Sequence, residues 1–346
     1  MIVAPFFVSL LVSFFCVPLL ILRLRRAGIV GKDLHKPCGI DNSEDIPQGR
    51  PQGIVDSEGI PQGRPEVSEM GGLAIVVGFG AGILLATAMV SFFHVFSSVD
   101  LIVLLAVLST VLLAGLIGIV DDLLGMRQWM KALLPVFAAL PLMAVRAGHT
   151  WIRIPFVGTL NFWIFYPLVL VPVGVTVAAN AVNMLAGFNG LEVGLGIVAM
   201  GSLAIIAATL HETTALILLL SGLGALLGII YFNWYPARIL VGDVGTLSIG
   251  AIIATSVIVG NFETAGVIVL VPYAVDFLFK AAHRFPTSFG ELREDGKLHC
   301  PAEGPVGLGQ FIMKVTRGIH ERTLVVLLMG IEVVFGGLAI ALYVWR

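Results

Sequence analysis

The sequence predicts an all-α, polytopic membrane protein, and its composition and apolar runs lead to this fold class. Residues of the set Ala, Val, Ile, Leu, Met, Phe, Trp, Tyr and Cys make up 58% of the 346 residues, and charged residues only 12%. Soluble domains contain about 25% charged residues. Runs near the roughly 20 apolar residues needed to cross a bilayer recur along the chain. A soluble enzyme, a secreted module and a disordered regulator are therefore excluded, and we treat residues 1–346 as one integral-membrane domain.

The apolar runs predict about ten transmembrane helices. The first run lacks a basic segment before it and ends at Arg23, Arg25 and Arg26, so we interpret it as a retained helix and not as a signal peptide. The fourth and eighth runs are the shortest. The predicted spans are residues 2–22, 72–97, 101–120, 132–147, 163–182, 191–210, 213–232, 245–260, 264–282 and 323–345.

The distribution of charge predicts how the helices are oriented. Nearly all Lys and Arg residues fall in the odd-numbered connections, which the positive-inside rule places in the cytoplasm. An even number of spans then puts both termini outside. Asp and Glu crowd the same side, which indicates a polar working surface facing the cytoplasm. We expect a multi-pass protein of the cell membrane if the source is prokaryotic or archaeal, and the net charge of −2 gives no reason to expect a nucleic acid partner.

Two connections have a recognisable local pattern. The first cytoplasmic loop contains a tandem repeat, because residues 39–52 and 53–66 match at ten of fourteen positions. Its Pro, Gly, Ser and acidic composition is typical of a mobile segment that buries no core. A loop-lengthening duplication and a partner-binding segment are both open. Residues 148–161 predict a short hairpin outside the membrane, and residues 284–322 form the last cytoplasmic loop.

A pair of adjacent carboxylates, Asp121 and Asp122, ends the third span. At a helix C-terminus such a pair opposes the helix dipole and repels itself, so a cation or a donor-rich ligand would relieve it. Arg127 and Lys131 follow within two turns, where they could steady an anionic substrate. The alternative is a solvated pair that marks the membrane edge.

The next cytoplasmic connection is rich in asparagine. Asn180 and Asn183 lie on one helical face, and Asn189 with Gly190 predicts a tight turn. Amides at a membrane span are costly unless they are paired. Amide oxygens suit Mg²⁺ and amide nitrogens suit phosphate or uracil oxygens, whereas hydrogen bonding between helices is the structural alternative.

Two later segments add charged candidates. Asp243 lies between Gly242 and Gly245 at a predicted helix start, either as a ligand or only as an N-cap. His283 and Arg284 lie beside a span, either as a phosphate site or as an ordinary positive-inside anchor. Asp276 is an intramembrane carboxylate, and the sequence names no partner for it.

All these groups face one side of the predicted bundle. Carboxylates, amides and cations together at a membrane surface suit a magnesium–diphosphate substrate and a lipid that reaches in from the bilayer. Phosphoryl transfer depends on charge neutralisation and in-line positioning more than on covalent chemistry.

The chain resembles the polyprenyl-phosphate N-acetylhexosamine-1-phosphate transferases, and among them the dolichyl-phosphate N-acetylglucosamine-1-phosphotransferases of eukaryotes and archaea. The similarity covers nearly the whole chain. It is carried by the motifs GIVGKDLHKP, VSEMGG, VDD, NAVNMLAGFNGLE, NWYPARILVGD, HRFP and IHER. The sequence departs from the pattern of eukaryotic relatives at Gly125, Leu240 and Ala282, and the tandem repeat lies outside it.

The resemblance implies a role for each matching residue. Asp243 and Asn183 would bind Mg²⁺, with Mn²⁺ as an alternative ion. Catalytic roles fall to Asp121, Asp122, Asp243 and Lys131. Substrate contacts fall to Asn180, Asn183, Asn189, Glu69, His283 and Arg284.

The implied reaction passes N-acetylglucosamine 1-phosphate from a UDP-sugar to a polyprenyl or dolichyl phosphate and releases UMP, as the first membrane step of glycan assembly. The expected partners are these two substrates and membrane lipid, with a homodimer left open. Another UDP-N-acetylhexosamine donor or a surface-polysaccharide pathway is the nearest alternative. A transporter or flippase also fits the composition, but such proteins place ionisable groups near the bilayer midplane and often repeat their halves.

Overall fold

The structure is a computed structural model that describes residues 1–32, 66–95, 99–154, 158–286 and 288–344. Within these ranges the chain forms fourteen α-helices and three two-stranded antiparallel sheets. The helices are α1 Ala4–Arg26, α2 Gly72–Phe93, α3 Leu101–Leu124, α4 Gln128–Leu133, α5 Pro135–Ala138, α6 Leu140–Ala144, α7 Val171–Met184, α8 Leu191–Thr209, α9 Thr213–Asn233, α10 Gly242–Gly260, α11 Glu263–Val269, α12 Val271–Ala282, α13 Leu308–Thr316 and α14 Glu321–Val344. A π-helical turn, Tyr166–Leu170, leads directly into α7.

Eight helices of the described residues are long and apolar enough to cross a bilayer, which confirms the predicted all-α polytopic membrane fold. They correspond to eight of the ten predicted spans. One of them, α10, starts at Gly242, three residues before the predicted position, and this places Asp243 in its first turn. The spanning helices are α1, α2, α3, α7 with its π-helical turn, α8, α9, α10 and α14.

The predicted fourth span at residues 132–147 falls on the apolar segment Gln128–Ala144, which is shorter than the eight candidate spans. The segment Gln128–Ala144 is divided into the short helices α4, α5 and α6. Pro135 starts α5 and Pro141 lies in the first turn of α6. A proline has no N–H to donate and its ring clashes with the preceding turn, so a helix restarts at each of these residues instead of continuing.

The ninth predicted span, residues 264–282, is bent and not straight. Helices α11 and α12 meet at Leu270 and differ in direction by 55°. Pro272 follows the break and removes the N–H that a continuous helix would use there. The pair forms a ninth crossing if it is counted as one span.

The sheets are small, and one of them is the predicted hairpin. Strands β3 Trp151–Ile154 and β4 Gly158–Asn161 pair antiparallel, which confirms the hairpin predicted for residues 148–161. Strands β1 Val30–Lys32 and β2 Glu66–Ser68 close the first long connection, and β5 Glu291–Leu292 pairs with β6 Leu298–His299 in the last one. The tandem repeat lies outside the described residues, apart from Glu66.

Helix α10 is the centre of the bundle and packs against α2, α3, α7 and α9. Glycines allow its first turn to touch two neighbouring helices directly. A Cβ atom at Gly118 of α3 would lie 2.4 Å from the backbone of Val244, and one at Gly72 of α2 would lie 2.1 Å from the Gly245 nitrogen. These close contacts fix the first turn of α10, and therefore Asp243, within the bundle.

The odd-numbered connections meet at one end of the bundle, which we call the polar face. Here α1, α3, α7, α9 and α12 end, and α2, α8, α10 and α14 begin. Backbone and side-chain contacts join these ends: the Leu240 N–H donates to the Ser68 carbonyl at 2.8 Å, and Arg322 donates to the Tyr235 carbonyl at 3.1 Å. Because α1 ends and α14 begins at the polar face, their other ends point to the opposite face.

Candidate active site

Asp243 is the residue on which the polar side chains of three other segments converge. It follows Gly242, whose φ of +65° is the left-handed conformation that glycine adopts without strain. One carboxylate oxygen of Asp243, Oδ1, accepts a hydrogen bond from Nδ2 of Asn183 at 2.9 Å, and the other forms an ion pair with Lys131. Its side chain is 22% exposed, so the carboxylate is held by the protein and still reachable from the polar face.

Asp122 caps helix α10 from the end of α3. Its Oδ1 accepts from the Asp243 N–H at 2.8 Å and its Oδ2 from the Val244 N–H at 3.2 Å. The side chain of Asp243 makes no capping hydrogen bond, so the interpretation of Asp243 as the N-cap is wrong. The first N–H groups of a helix carry partial positive charge and lack partners within the helix. The carboxylate of Asp122 accepts hydrogen bonds from two of them. Gly242 leaves the room for it, because a Cβ there would lie 2.5 Å from Oδ2 of Asp122.

Lys131 bridges two carboxylates. Its ammonium lies 2.7 Å from Oδ2 of Asp121 and also pairs with Asp243. Asp121 is buried and its other oxygen accepts from the Met126 N–H at 2.7 Å. Burial lowers the pKa of Lys131, but the charges of Asp243 and Asp121 outweigh this effect and the net direction is upward. The lysine therefore stays a cation between the two acids.

Asp121, Asp122, Lys131, Asn183 and Asp243 form a group that we call the acidic cluster. Glu69 joins this cluster through the backbone that precedes α10. The Gly71 N–H donates to the Leu240 carbonyl at 2.7 Å, and the Gly72 N–H donates to the Val241 carbonyl at 2.9 Å. This pairing brings Glu69 to the start of α10. Burial raises the pKa of the Glu69 carboxyl, and the nearby charge of Asp243 raises it further.

Asn180 connects two helices. Its amide nitrogen donates to the Ala132 carbonyl at 3.0 Å and to the Thr176 carbonyl at 2.9 Å. Ala132 directly follows Lys131, so Asn180 holds the helix that carries the lysine against α7. The structure thus shows the interhelical hydrogen bond, and a contact between Asn180 and nucleotide stays a prediction.

The other predicted substrate residues lie around the cluster and not in it. Asn189 is buried, and its backbone N–H donates to Oε1 of Glu321 at 2.7 Å. His283 and Arg284 follow the end of α12 with exposed side chains. Nδ1 of His283 lies 2.8 Å from the Phe279 carbonyl, and within the described residues no hydrogen bond or ion pair links either side chain to the acidic cluster.

Comparison with known proteins identifies the family. The model of glycosyl transferase family 4 matches residues 104–261. A Saccharolobus solfataricus protein, provisionally named UDP-N-acetylglucosamine–dolichyl-phosphate N-acetylglucosaminephosphotransferase, is 35% identical over 99% of this chain and 96% of its own length. The chain belongs to glycosyl transferase family 4.

Two other relatives match about half of this chain, one with the same name and one with a different phosphosugar in its name. The Dictyostelium discoideum UDP-N-acetylglucosamine–dolichyl-phosphate N-acetylglucosaminephosphotransferase is 30% identical over 52% of this chain and 52% of its own length. A phospho-N-acetylmuramoyl-pentapeptide-transferase of Halalkalibacterium halodurans is 34% identical over 58% of this chain and 63% of its own length. The shared feature of these names is transfer of a phosphosugar.

The family match covers most of the acidic cluster. Residues 104–261 include both aspartates of α3, Lys131, the three asparagines and Asp243. Glu69, His283 and Arg284 lie outside this range, in segments that the resemblance alone assigns to the site. The structure brings Glu69 to Asp243, as described above.

Sequence reasoning missed the partner of Asp276. Its Oδ2 lies 2.8 Å from the Lys280 ammonium, one helical turn further along α12, and its Oδ1 accepts from the Leu308 N–H at 2.7 Å. An acid followed by a base four residues later is the spacing that pairs side chains on a helix, so the signal was present in the sequence. Sequence analysis also did not single out Glu192 and Glu321, whose partners lie in the asparagine-rich connection.

The described side chains fit a metal ion only in part. Within the described residues, no group of three His, Cys, Asp or Glu side chains is placed to hold an ion alone. Mg²⁺ commonly takes one or two protein ligands and completes its shell with substrate phosphates and water. The carboxylate of Asp243 and the amide of Asn183 suit such a site. The amide nitrogen of Asn183 faces Asp243, so half a turn of the amide would direct its oxygen there.

Proposed function

We propose that this protein transfers N-acetylglucosamine 1-phosphate from UDP-N-acetylglucosamine to dolichyl phosphate or a similar polyprenyl phosphate and releases UMP. The observation that carries the proposal is the convergence of Asp121, Lys131 and Asn183 on Asp243 at the start of α10. The names of the Saccharolobus solfataricus relative, which spans this chain, and of the Dictyostelium discoideum relative, which matches half of it, support the same donor and acceptor.

The reaction balances without a proton transfer. An oxygen of the lipid phosphate attacks the phosphorus that bears the sugar, and a new P–O bond forms. The bridging P–O bond of the nucleotide diphosphate breaks, and its electron pair leaves on the oxygen of UMP. If the lipid phosphate enters as a dianion, UMP also leaves as a dianion, and no proton has to move. The main tasks of the site are therefore to neutralise charge and to align the phosphates.

The charges of the cluster explain why cations are needed. Glu69, Asp121, Asp122 and Asp243 supply up to four negative charges, and Lys131 supplies one positive charge. Two anionic substrates approaching these acids would be repelled. When bound by Asp243 and Asn183, Mg²⁺ or Mn²⁺ would neutralise the diphosphate.

Each residue of the cluster then has a separate task. Lys131 supplies a fixed positive charge for a phosphate oxygen and is itself held by Asp121. Asp122 fixes the backbone from which Asp243 projects. Asn180 holds the helix of Lys131 in place. Asn189, His283 and Arg284 complete the donor site in this proposal.

We place the reaction at the cytoplasmic side of the membrane. Arg23, Arg25 and Arg26 end α1 at the polar face, in agreement with the positive-inside rule. A site at the membrane surface lets the water-soluble nucleotide sugar and the phosphate of a membrane lipid meet. The same arrangement would serve the cell membrane of a prokaryote or an archaeon.

Release of UMP by the purified protein tests this proposal. Protein in detergent or nanodiscs is given Mg²⁺, a polyprenyl phosphate and one UDP-sugar at a time, and the lipid product is identified by mass spectrometry. We expect UMP release and a lipid-linked diphosphate sugar with UDP-N-acetylglucosamine, and little product with UDP-N-acetylgalactosamine or UDP-N-acetylmuramoyl-pentapeptide. A different preferred donor would change the sugar assignment, and no UMP from any donor would refute the proposed reaction.

A further inference from the structure

The connection between α7 and α8 is held at three points by charged side chains from three other positions in the bundle. We call residues 184–189 the asparagine turn, because Asn183 precedes it and Asn189 ends it. Oε1 of Glu192 in α8 accepts from the Gly187 N–H at 2.6 Å. Oε1 of Glu321 in α14 accepts from the Asn189 N–H at 2.7 Å. Lys280 of α12 donates to the Met184 carbonyl.

These three side chains are almost completely removed from solvent. Glu192 is 6% exposed, Glu321 is 5% exposed and Lys280 is 7% exposed. Lys280 is also paired with Asp276, which is 1% exposed and whose other oxygen binds the first N–H of α13. Burying a charged group is costly unless the group is paired and hydrogen-bonded. Each of these three side chains therefore requires its hydrogen-bond partner in the turn.

Before Asn189, the asparagine turn has no polar side chain that could bond its backbone. Residues 184–188 are Met, Leu, Ala, Gly and Phe. Gly187 and the following Gly190 have φ angles of +111° and +84°, so the chain here leaves both helical and extended geometry. Backbone N–H and C=O groups withdrawn from water require partners. The N–H of buried Asn189 finds one in Glu321, while Glu192 and Lys280 bond the exposed Gly187 and the half-buried Met184.

The position of this turn matters for the acidic cluster. Asn183, whose amide nitrogen donates to Asp243, directly precedes the residue that Lys280 holds. Asn189 is the residue held by Glu321. A displacement of the turn would therefore move the group facing Asp243 at one end and Asn189 at the other.

We propose that Glu192, Glu321 and Lys280 are positioning residues, which fix the backbone of the asparagine turn so that Asn183 and Asn189 are pre-arranged for the nucleotide diphosphate. This inference rests on the proposed function for its effect on catalysis. Its structural part, the fixing of the turn, does not depend on the reaction.

Hydrogen exchange of the unmodified protein tests the structural part. In the full-length protein without substrate, we expect the amides of Gly187 and Asn189 to exchange at least a hundredfold more slowly than the amide of Gly296 in an exposed turn. Exchange at the rate of Gly296 would overturn the proposal. This measurement requires neither activity nor a variant.

Matched substitutions test the effect on the site. Glu192→Met and Glu321→Met keep the length of the side chain and remove the acceptor, whereas Glu192→Gln and Glu321→Gln keep an acceptor oxygen. We expect the Met variants to raise the KM for UDP-N-acetylglucosamine at least tenfold and to speed exchange at Gly187 or Asn189. The Gln variants should remain within about threefold of the original protein in KM, because an uncharged acceptor still makes the bond.

Glu332 provides the control. It is buried in the same helix as Glu321, but it lies more than three helical turns away, and no hydrogen bond among the described residues joins it to the turn. Glu332→Met should leave both KM and exchange in the asparagine turn unchanged. A raised KM or faster exchange in Glu332→Met would show that loss of any buried carboxyl group of α14, and not loss of the contact to the turn, causes the effect.

The outcomes separate this inference from the proposed function. If the unmodified protein releases no UMP from any donor, the proposed reaction fails and the exchange measurements still decide the positioning role. If the protein is active but the Met variants keep the original KM and exchange rates, the positioning role is wrong. It is also wrong if the Gln variants are impaired as strongly as the Met variants, since the acceptor would then not be the decisive feature.

Discussion

Replacement of Asp243 by Asn is the perturbation that most directly tests the candidate site. The substitution preserves the shape of the side chain and removes its charge. In the structure this carboxylate accepts from Asn183 at 2.9 Å and pairs with Lys131, and it makes no capping hydrogen bond. An Asn in its place could keep only one acceptor oxygen, and its NH₂ group would then face a donor, either the amide of Asn183 or the ammonium of Lys131.

The structure sets different magnitudes for stability and for activity. Lys131 retains Asp121 as a partner at 2.7 Å, so the variant does not leave a buried charge alone. Hydrogen bonds to charged groups contribute about 1.5–3 kcal/mol, and the partial exposure of the pair, 22% and 18%, reduces this loss to about 1–2 kcal/mol. Loss of one electrostatic contact to a developing charge typically lowers turnover by about 10²–10³.

The assay is UMP release with UDP-N-acetylglucosamine, polyprenyl phosphate and saturating Mg²⁺, accompanied by a thermal unfolding curve. We expect a folded variant with turnover reduced by about 10²–10³. Asp295→Asn is the matched control, because Asp295 lies in an exposed turn where its oxygens contact Lys297 and His299. Retention of more than about a tenth of the activity by Asp243→Asn would refute the assignment of Asp243 to the reaction centre.

Four further predictions address the metal, the repeat, the buried Glu332 and the half-buried Glu69. UMP release should stop in excess EDTA and return with Mg²⁺ or Mn²⁺, and full activity in EDTA would contradict the metal assignment. Deletion of residues 39–52 should leave turnover within about twofold, because the free energy of closing a loop changes by only about 0.6 kcal/mol when its length is halved. A folded but inactive deletion variant would show that the repeat is needed. Both carboxyl oxygens of Glu332 are buried without a hydrogen-bond partner among the described residues, so Glu332→Leu should raise the unfolding temperature, and a lower value would show that the acid has a stabilising partner. The pKa of Glu69 is raised in the folded protein, so its contribution to stability is present below the usual pKa of 4.5 and is lost as pH rises through the folded-state pKa. Glu69→Gln should therefore be more stable than the original protein at neutral pH and equally stable at pH 4. A stability difference that does not change with pH would contradict this.

Much of the fold follows from local properties of the sequence. Eight predicted spans match helices, because hydropathy over about 20 residues directly reports the cost of placing a segment in lipid. The two predicted spans that are not long straight helices, residues 132–147 and 264–282, both contain prolines inside apolar runs. Hydropathy does not register the N–H that a proline lacks, and this loss weakens the helical hydrogen bonding at these positions.

The candidate site was predictable as a set of residues but not as a set of contacts. Asp121, Lys131, Asn183 and Asp243 were each selected by residue type and by their place at a predicted helix end, and the structure brings them together. The sequence left open whether Asp243 is a ligand or a cap. Only the packing of α3 against α10 shows that Asp122 makes the capping hydrogen bonds.

By itself, the sequence determined the membrane class, most of the helices, the gathering of charged and amide residues at one face, and the resemblance to a transferase family. These are properties of short segments, which hydropathy, charge and motif spacing report directly. The tertiary structure decided which groups meet across long separations in the chain. Asn183 reaches Asp243 across 60 residues, and Glu321 reaches Asn189 across 132 residues. Such pairs depend on the packing of whole helices, here α7 against α10 and α14 against α8, and not on any local preference of the chain.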